Sequence, residues 1–351
     1  MTTRRRLRAA ILLPLLAALL LAACGSDSGT DAAAATKPTV TDDTTPSVPQ
    51  EPITIKYAAG SNAGVAAYVQ KQGTLEKELA AVHATIEWVP SVAAFSANLD
   101  AMNAGALNVS QGAVSPVVGA LSHGLKWKIF ALSGRSFGAH QAGIIATKGS
   151  GITTVQDLVG KRVAVNALAH GDYLLQQALK EAGIPLDQVE RTPLQPPEAA
   201  AAFASGKIDA WATFGDFFTG ALAKGAVPVK YEEDLQTDDV GIFAASADLL
   251  AKNPKAFEIL LKVFNDAIEA GHADPEAQQN VFQQSGPTAV SGERLQNAIA
   301  ATKIAKPFAA VSDVSKGQVT NVISLFVSNK VLDRDIPVDE ITFDLTKALK
   351  G

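Results

Sequence analysis

The chain has 351 residues, with 30 lysines and arginines against 35 aspartates and glutamates, and a formal charge of −5. An acidic chain lacks the basic surface that holds a phosphate backbone, which excludes nucleic acid from the expected partners. One cysteine, Cys24, excludes an internal disulfide framework, and no cysteine-based metal site is expected.

Residues 1–23 read as a secretory signal. Arg4, Arg5, Arg6 and Arg8 form a positive start, and residues 9–22 form an apolar run that Pro14 interrupts and that is too short to span a bilayer. The run ends in Leu21-Ala22-Ala23-Cys24-Gly25, which resembles the bacterial lipobox. That resemblance implies cleavage before Cys24 and acylation of its thiol, so that lipid anchors the protein on the extracytoplasmic face, periplasmic or extracellular. Each buried methylene contributes about 0.8 kcal/mol, and stable anchoring takes more than one acyl chain. Loss of the four arginines takes the formal charge from −5 to −9. The segment 24–52 then reads as the lipidated cysteine and a flexible tether of Ser, Thr, Asp, Ala and Pro. Such a tether reaches roughly 25–30 Å.

About 300 residues remain to fold, which suits two lobes better than one core. Alternation at Ile53, Ile55 and Tyr57 predicts that ITIKYAAGSNAG (53–64) opens as a strand and ends in a Gly-rich turn, and further strands are predicted over 84–90, 106–110 and 126–134, separated by helices over 64–80, 93–104 and 113–122. This alternation is the pattern of a parallel sheet covered by helices. A second series begins at 142, with strands over 142–150, 160–166, 188–194 and 207–213 and helices over 172–183, 197–205 and 214–224. Asp172 is placed to cap the first of these helices and Gly183 to end it. Residues 246–350 are expected to be mainly helical, with Asn253-Pro254 opening a long helix and a second one over 317–332. One internal echo joins the halves: LDAMNAGALNVS (99–110) and AAAFASGKIDAWA (200–212) are each a helix end, a small-Gly turn and a strand.

Catalytic motifs are scarce. The sequence has no HExxH, no GxSxG elbow, no P-loop and no CxxC, and none of its five histidines is paired at helical spacing. Neither a resident metal nor a cofactor is expected. The chain does offer four small-residue loops at the carboxyl ends of predicted strands: AGSNAG (59–64), SQGAVS (110–115), SGRSFG (133–138) and NALAHGD (166–172). Ligands bind outside strand ends in open α/β sheets, and helix N-termini there suit anionic groups. The candidate contacts are Ser61, Asn62, Gln111, Gly112, Arg135 and Asn166. Arg135 either pairs with a ligand acid in bidentate fashion or is a solvated loop charge. His170 either donates to a ligand or lies on the surface. Phe214 and Phe217 are candidates for an aromatic wall, whereas Trp211 and Phe218 are read as helix-to-sheet packing.

These loops and their order resemble the type II periplasmic-type binding proteins of ABC importers, above all the aliphatic sulfonate, taurine and nitrate binders, which group with thiamine-precursor binders. The residues that carry the resemblance include AMNAGALNVSQGAVSPVVGAL, ITTVQDLVGKRVAVN and AAAAFASGKIDAWATFGDFF. The resemblance implies two lobes, 53–138 plus 243–350 and 142–238, each a mixed sheet flanked by helices with the ligand cleft between them. It implies a non-enzymatic receptor, expected to be a monomer, that hands a small organic anion to permease subunits. Two departures fall at implied ligand positions. Where the sulfonate binders carry consecutive serines, this chain has Ala167-Leu168-Ala169-His170-Gly171. Where they carry Trp-Asp-Pro-aromatic, it has Phe214-Gly215-Asp216-Phe217. Ala169, His170, Gly171, Phe214 and Asp216 therefore join the candidate ligand contacts, and the changes point to a bulkier or less purely anionic ligand. Two other functions remain open: a sensory or interaction lipoprotein without an importer, and an enzyme of the thiamine-precursor or menaquinone type on the same fold.

Overall fold

The computed structural model describes residues 48–90, 95–121, 127–136 and 140–351. The signal, Cys24 and most of the tether lie outside the described residues. The strands are β1 (Ile53–Ala58), β2 (Ala84–Val89), β3 (Val109–Ala113), β4 (Trp127–Ser133), β5 (Ala142–Ala146), β6 (Arg162–Val165), β7 (Glu190–Pro193), β8 (Ala210–Phe214), β9 (Val227–Tyr231), β10 (Gly241–Ser246) and β11 (Phe308–Ala310). The helices are α1 (Val65–Gln72), α2 (Thr74–Ala80), α3 (Phe95–Asn103), α4 (Val114–Leu121), α5 (His170–Glu181), α6 (Pro196–Ala204), α7 (Gly215–Ala223), α8 (Ala247–Lys252), α9 (Pro254–Ala273), α10 (Gly292–Ile304) and α11 (Asp313–Ser328). Two short helical turns follow near the C-terminus.

The strands form two bodies. In the first, β1 and β2 pair in parallel, and β11-β4-β10-β3 form a four-stranded sheet. Asn108 joins the two sheets: its Oδ1 accepts the Lys56 N–H at 2.7 Å and its Nδ2 donates to the Thr54 carbonyl at 2.8 Å. The second body is one five-stranded sheet in the order β7-β6-β8-β5-β9. Both bodies are mixed. β10 runs antiparallel between β3 and β4, and β5 runs antiparallel between β8 and β9. These are the strands on which the chain enters each body after crossing from the other. The mixed sheets that the resemblance implies are present; the parallel pattern that strand-helix alternation alone suggests does not account for β10 and β11 in the first body or β5 in the second.

The echoed segments take the same form twice. The α3–β3 unit and the α6–β8 unit each run from helix to strand, and each strand then pairs with the antiparallel inserted strand of its body. Each strand leads directly into the next helix, α4 or α7.

The long helix begins where its sequence indicates. Asn253 Oδ1 accepts the Ala256 N–H at 3.1 Å, and its Nδ2 donates to the Val82 carbonyl at 2.7 Å. Phe257, Leu260, Leu261, Phe264 and Ile268 lie buried along one face of α9 and pack on the first body. Three strands were not anticipated: β9, β10 and β11. β11 is one short strand within the mainly helical stretch 246–350, and its three residues are too few to show a period of two.

The first body's core centres on Phe243 of β10, which is fully buried. Its ring centroid lies 4.6 Å from that of Phe308, 5.1 Å from Phe264 and 5.9 Å from Phe130. Phe243→Ala therefore empties a site hemmed in by rigid rings and should cost about 3–5 kcal/mol in urea unfolding. Phe217→Ala, at a side chain on α7 that remains well exposed, should cost under about 1 kcal/mol. Equal losses would show that the aromatic cluster is not the anchor of the first body.

Candidate ligand site between the two sheets

A cavity of about 340 Å³ lies between the bodies and takes lining from both. The first body supplies Gly112, Pro116 and the β4 end at Ser133–Ser136; the second supplies Asn166, Ala169, His170 and Phe214. The segment that leads back to the first body adds Glu232, Thr237, Asp239 and Val240. The space opens beyond the carboxyl ends of β3, β6 and β8, where α4, α5 and α7 begin.

The α5 end is fixed by close backbone packing. The helix starts at His170, two residues before the sequence suggested, because Asp172 reaches back to accept the Leu168 N–H at 2.9 Å instead of forming the cap itself. Asp172 is fully buried; burial raises its carboxyl pKa, and Arg191 at 3.5 Å opposes that rise. A Cβ on Gly171 would sit 2.3 Å from the Ala212 carbonyl oxygen, so glycine lets α5 lie directly on β8. Leu168 takes a left-handed φ of 55°, and a Cβ on Gly119 of α4 would meet its Cβ at 2.7 Å. The loop before α5 is thus pressed against α4 across the gap between the bodies.

Asp239 ties this contact together. Its Oδ1 accepts the Ser115 N–H at 2.6 Å, at the start of α4, and its Oδ2 accepts the Ser115 hydroxyl at 2.5 Å. The same Oδ2 meets His170 Nδ1 at 2.7 Å, while His170 Nε2 faces Glu232 Oε1 at 3.3 Å. With a carboxylate at each ring nitrogen, the imidazole is doubly protonated. Burial alone would push its pKa down, but Glu232 and Asp239 outweigh this and hold it well above the ordinary 6.5. The Phe214 ring stands edge-on to it, 5.4 Å away.

Arg135 forms a second link. It pairs with Asp238, whose Oδ2 also accepts Asn321 Nδ2 of α11 at 2.8 Å. The Asp238 N–H donates to the Tyr173 hydroxyl at 2.9 Å. Arg135 Nε is buried with no hydrogen-bond partner, and the Asn166 side chain makes no hydrogen bond to the described residues. Arg135, Asn166 and Glu232 all line the cavity, and Glu232 Oε2 takes no hydrogen bond from the described residues.

The sequence candidates separate into groups. Gly112, Arg135, Asn166, Ala169, His170 and Phe214 share the cavity. Ser61 and Gln111 line a neighbouring hollow of about 500 Å³ within the first body, where the Tyr57 hydroxyl donates to Gln111 at 3.2 Å. Asn62 is buried in a structural role, accepting the Phe282 and Gln283 N–H groups at 2.9 Å. Asp216 pairs with Arg294 at 2.8 Å on the exposed surface, at the rim of a hollow between α6 and α7. Glu232, Asp238 and Asp239 were missed. They sit in YEEDLQTDD (231–239), a run of five acids in nine residues that reads as solvated loop.

Among the described residues, no group of three His, Cys, Asp or Glu is arranged to hold a metal ion. No helix among them is long and apolar enough to cross a membrane. His170 has no free ring nitrogen to serve as a base, and the Ser115 hydroxyl is buried and already donates to Asp239.

Two mixed α/β bodies with a crevice between their strand ends define the periplasmic-binding-protein fold. The chain superposes on the alkanesulfonate-binding protein SsuA from Xanthomonas axonopodis pv. citri bound to MOPS with a TM-score of 0.69, over 83% of this chain and 97% of that one, at 22% identity. Residues 117–278 match the family model described as NMT1/THI5 like. The chain is similar in sequence to bacterial proteins named for aliphatic sulfonate and taurine binding. It is 34% identical to a protein of Escherichia coli (strain K12) named for aliphatic sulfonate binding, over 35% of this chain and 39% of that protein's length. It is 26% identical to the taurine-binding periplasmic protein of the same organism, over 64% of this chain and 68% of that one.

Folding favours the charged form of His170. Its contribution to stability is fully present below the unfolded pKa near 6.5 and is lost as pH rises through the higher folded value. Melting temperatures should therefore fall as pH rises from about 6.5 into the alkaline range, and His170→Gln should flatten that slope. An unchanged slope in the variant would remove His170 as its source.

Proposed function

We propose that this protein is an extracytoplasmic solute-binding lipoprotein that captures a small organic molecule bearing an acidic group for an ABC importer. The observation that carries the reading is the cavity between the bodies, lined from both sides, with the partly exposed Arg135 side chain and Asn166 on its wall. In this reading the bodies are lobes, 53–138 plus 243–350 and 142–238, which close on the ligand by hinge motion. The crossings at 139–142 and 239–243 are the hinge. The names of the homologues support a receptor over an enzyme, and the closed form would dock on permease subunits. The chain acts as a monomer.

A thermal-shift screen of the purified protein against sulfonates, carboxylates, amino acids and pyrimidines tests the reading. A binder at 100 times its Kd should add about 2.7 kcal/mol of stability. Arg135→Ala should weaken the best acidic hit by at least tenfold, because it removes the arginine from the cavity wall. A broad panel with no stabilising compound would overturn the receptor function.

The lipid anchor has its own test. In a bacterial host, Cys24→Ser should move the protein from the membrane fraction to the soluble envelope or the medium. Retention in the membrane fraction would show that another feature holds it there.

A further inference from the structure

The charges around the cavity do not suit a plain anion. Two cations, Arg135 and His170, stand among three carboxylates, Asp238, Asp239 and Glu232, which leaves a local charge of −1. The cations are also largely committed. His170 gives one nitrogen to Asp239 and the other to Glu232, and Arg135 is held by Asp238. The N-terminus of α4, which in an open crevice would attract an anionic ligand, is already filled by the Asp239 carboxylate on the Ser115 N–H. A monoanion entering here meets one half-free guanidinium and a carboxylate that faces it.

That carboxylate is Glu232. Its Oε1 takes His170 Nε2 at 3.3 Å and the Thr237 hydroxyl at 3.5 Å, while its Oε2 takes no hydrogen bond from the described residues. It lines the cavity and also a recess of about 200 Å³ that shares Ser136 with the cavity and has Glu233 on its wall. The acid end at Arg135 and Asn166 thus has an opposite pole at Glu232. Phe214, Pro116, Ala169 and Val240 supply apolar surface around these poles.

We propose that the site takes a ligand of no net negative charge, with an acid group on Arg135 and a protonated nitrogen on Glu232, and that Glu232 makes it discriminate against simple monoanions. This rests on the receptor reading above and specifies which solutes that receptor accepts. A free carboxylate at the site favours an ammonium and repels an acid of the same shape, so one side chain provides both attraction and exclusion.

Matched pairs that differ only in an ammonium group test it by titration calorimetry on the purified protein: taurine against ethanesulfonate, homotaurine against propanesulfonate, and phenylalanine against 3-phenylpropanoate. The ammonium member of at least one pair should bind at least tenfold more tightly than its partner. Glu232→Gln, which keeps the size of the side chain, should reduce that preference to under threefold, and a melting curve checks that the variant remains folded. If that variant does not fold, Glu232→Asp, which retains the charge but draws it back, should reduce the preference partially. A monoanion that binds as tightly as its ammonium partner, or a preference that survives Glu232→Gln, overturns the proposal and leaves the receptor function standing. The same holds if the screen's best binder is a monoanion outside these pairs. If no compound in the pairs or in the screen binds, the receptor function falls and the proposal falls with it.

Discussion

The buried carboxylate of Asp239 is the constraint on which the site depends. A charge taken out of water is tolerated only when it is paired and fully hydrogen-bonded, and Asp239 meets that condition with groups from two separate bodies. Ser115 belongs to α4 on one side, and His170 opens α5 on the other. Neither helix could move away without leaving the carboxylate short of partners. The register of α4 against α5, the tight approach of Gly119 to Leu168 and the width of the cavity beneath them all follow from satisfying one side chain.

The same region explains why α5 belongs to both bodies at once. Its Leu174, Leu175, Ala178 and Leu179 pack into the second body, while Tyr173 points the other way and is buried among the first body's residues, near Phe326. Asn329, which caps the C-terminal end of α11, donates to Gln176 at 2.9 Å further along α5. If the bodies move as lobes, these contacts must either break or travel with α5. The Tyr173 hydroxyl accepts from the backbone of Asp238, just before the return crossing. The exposed Asp216–Arg294 pair is a further link, from α7 to α10.

Much of the fold was legible in the sequence because alternation, caps and glycine turns are local signals. The Asn253-Pro254 start, the α9 stripe and the echo between 99–110 and 200–212 each depend on residues close together in the chain. The inserted strands were not legible as antiparallel, because strand direction is set by where the chain crosses and not by strand composition. The site was half legible for a related reason. Small residues before helices mark strand ends, and this located Gly112, Asn166, Ala169 and His170. Asn62 sits in an equivalent loop but is consumed by the 280–288 segment, more than two hundred residues away, a partner that no local pattern reveals. The acidic run 231–239 carries no local sign of a site role: Glu232, Asp238 and Asp239 are held by His170, Ser115 and Arg135, all distant in the chain.

On the proposed function, the placement of these acids bears on how the crevice would recognise a ligand. In the resemblance that the sequence suggested, hydroxyl donors after β6 would face an anion directly. Here that loop offers Ala169 and a histidine whose protons are spent on the protein's own acids. Donor capacity has therefore moved from the loop to Arg135 and Asn166, and acceptor capacity has appeared at Glu232. A site that contains its own counter-ions cannot gain much from net charge, since any ion entering must compete with pairs already made. What remains to distinguish solutes is the spacing between a donor pole and an acceptor pole, and the apolar surface that fills the gap. Recognition at such a site depends on a ligand's dipole and shape more than on its charge.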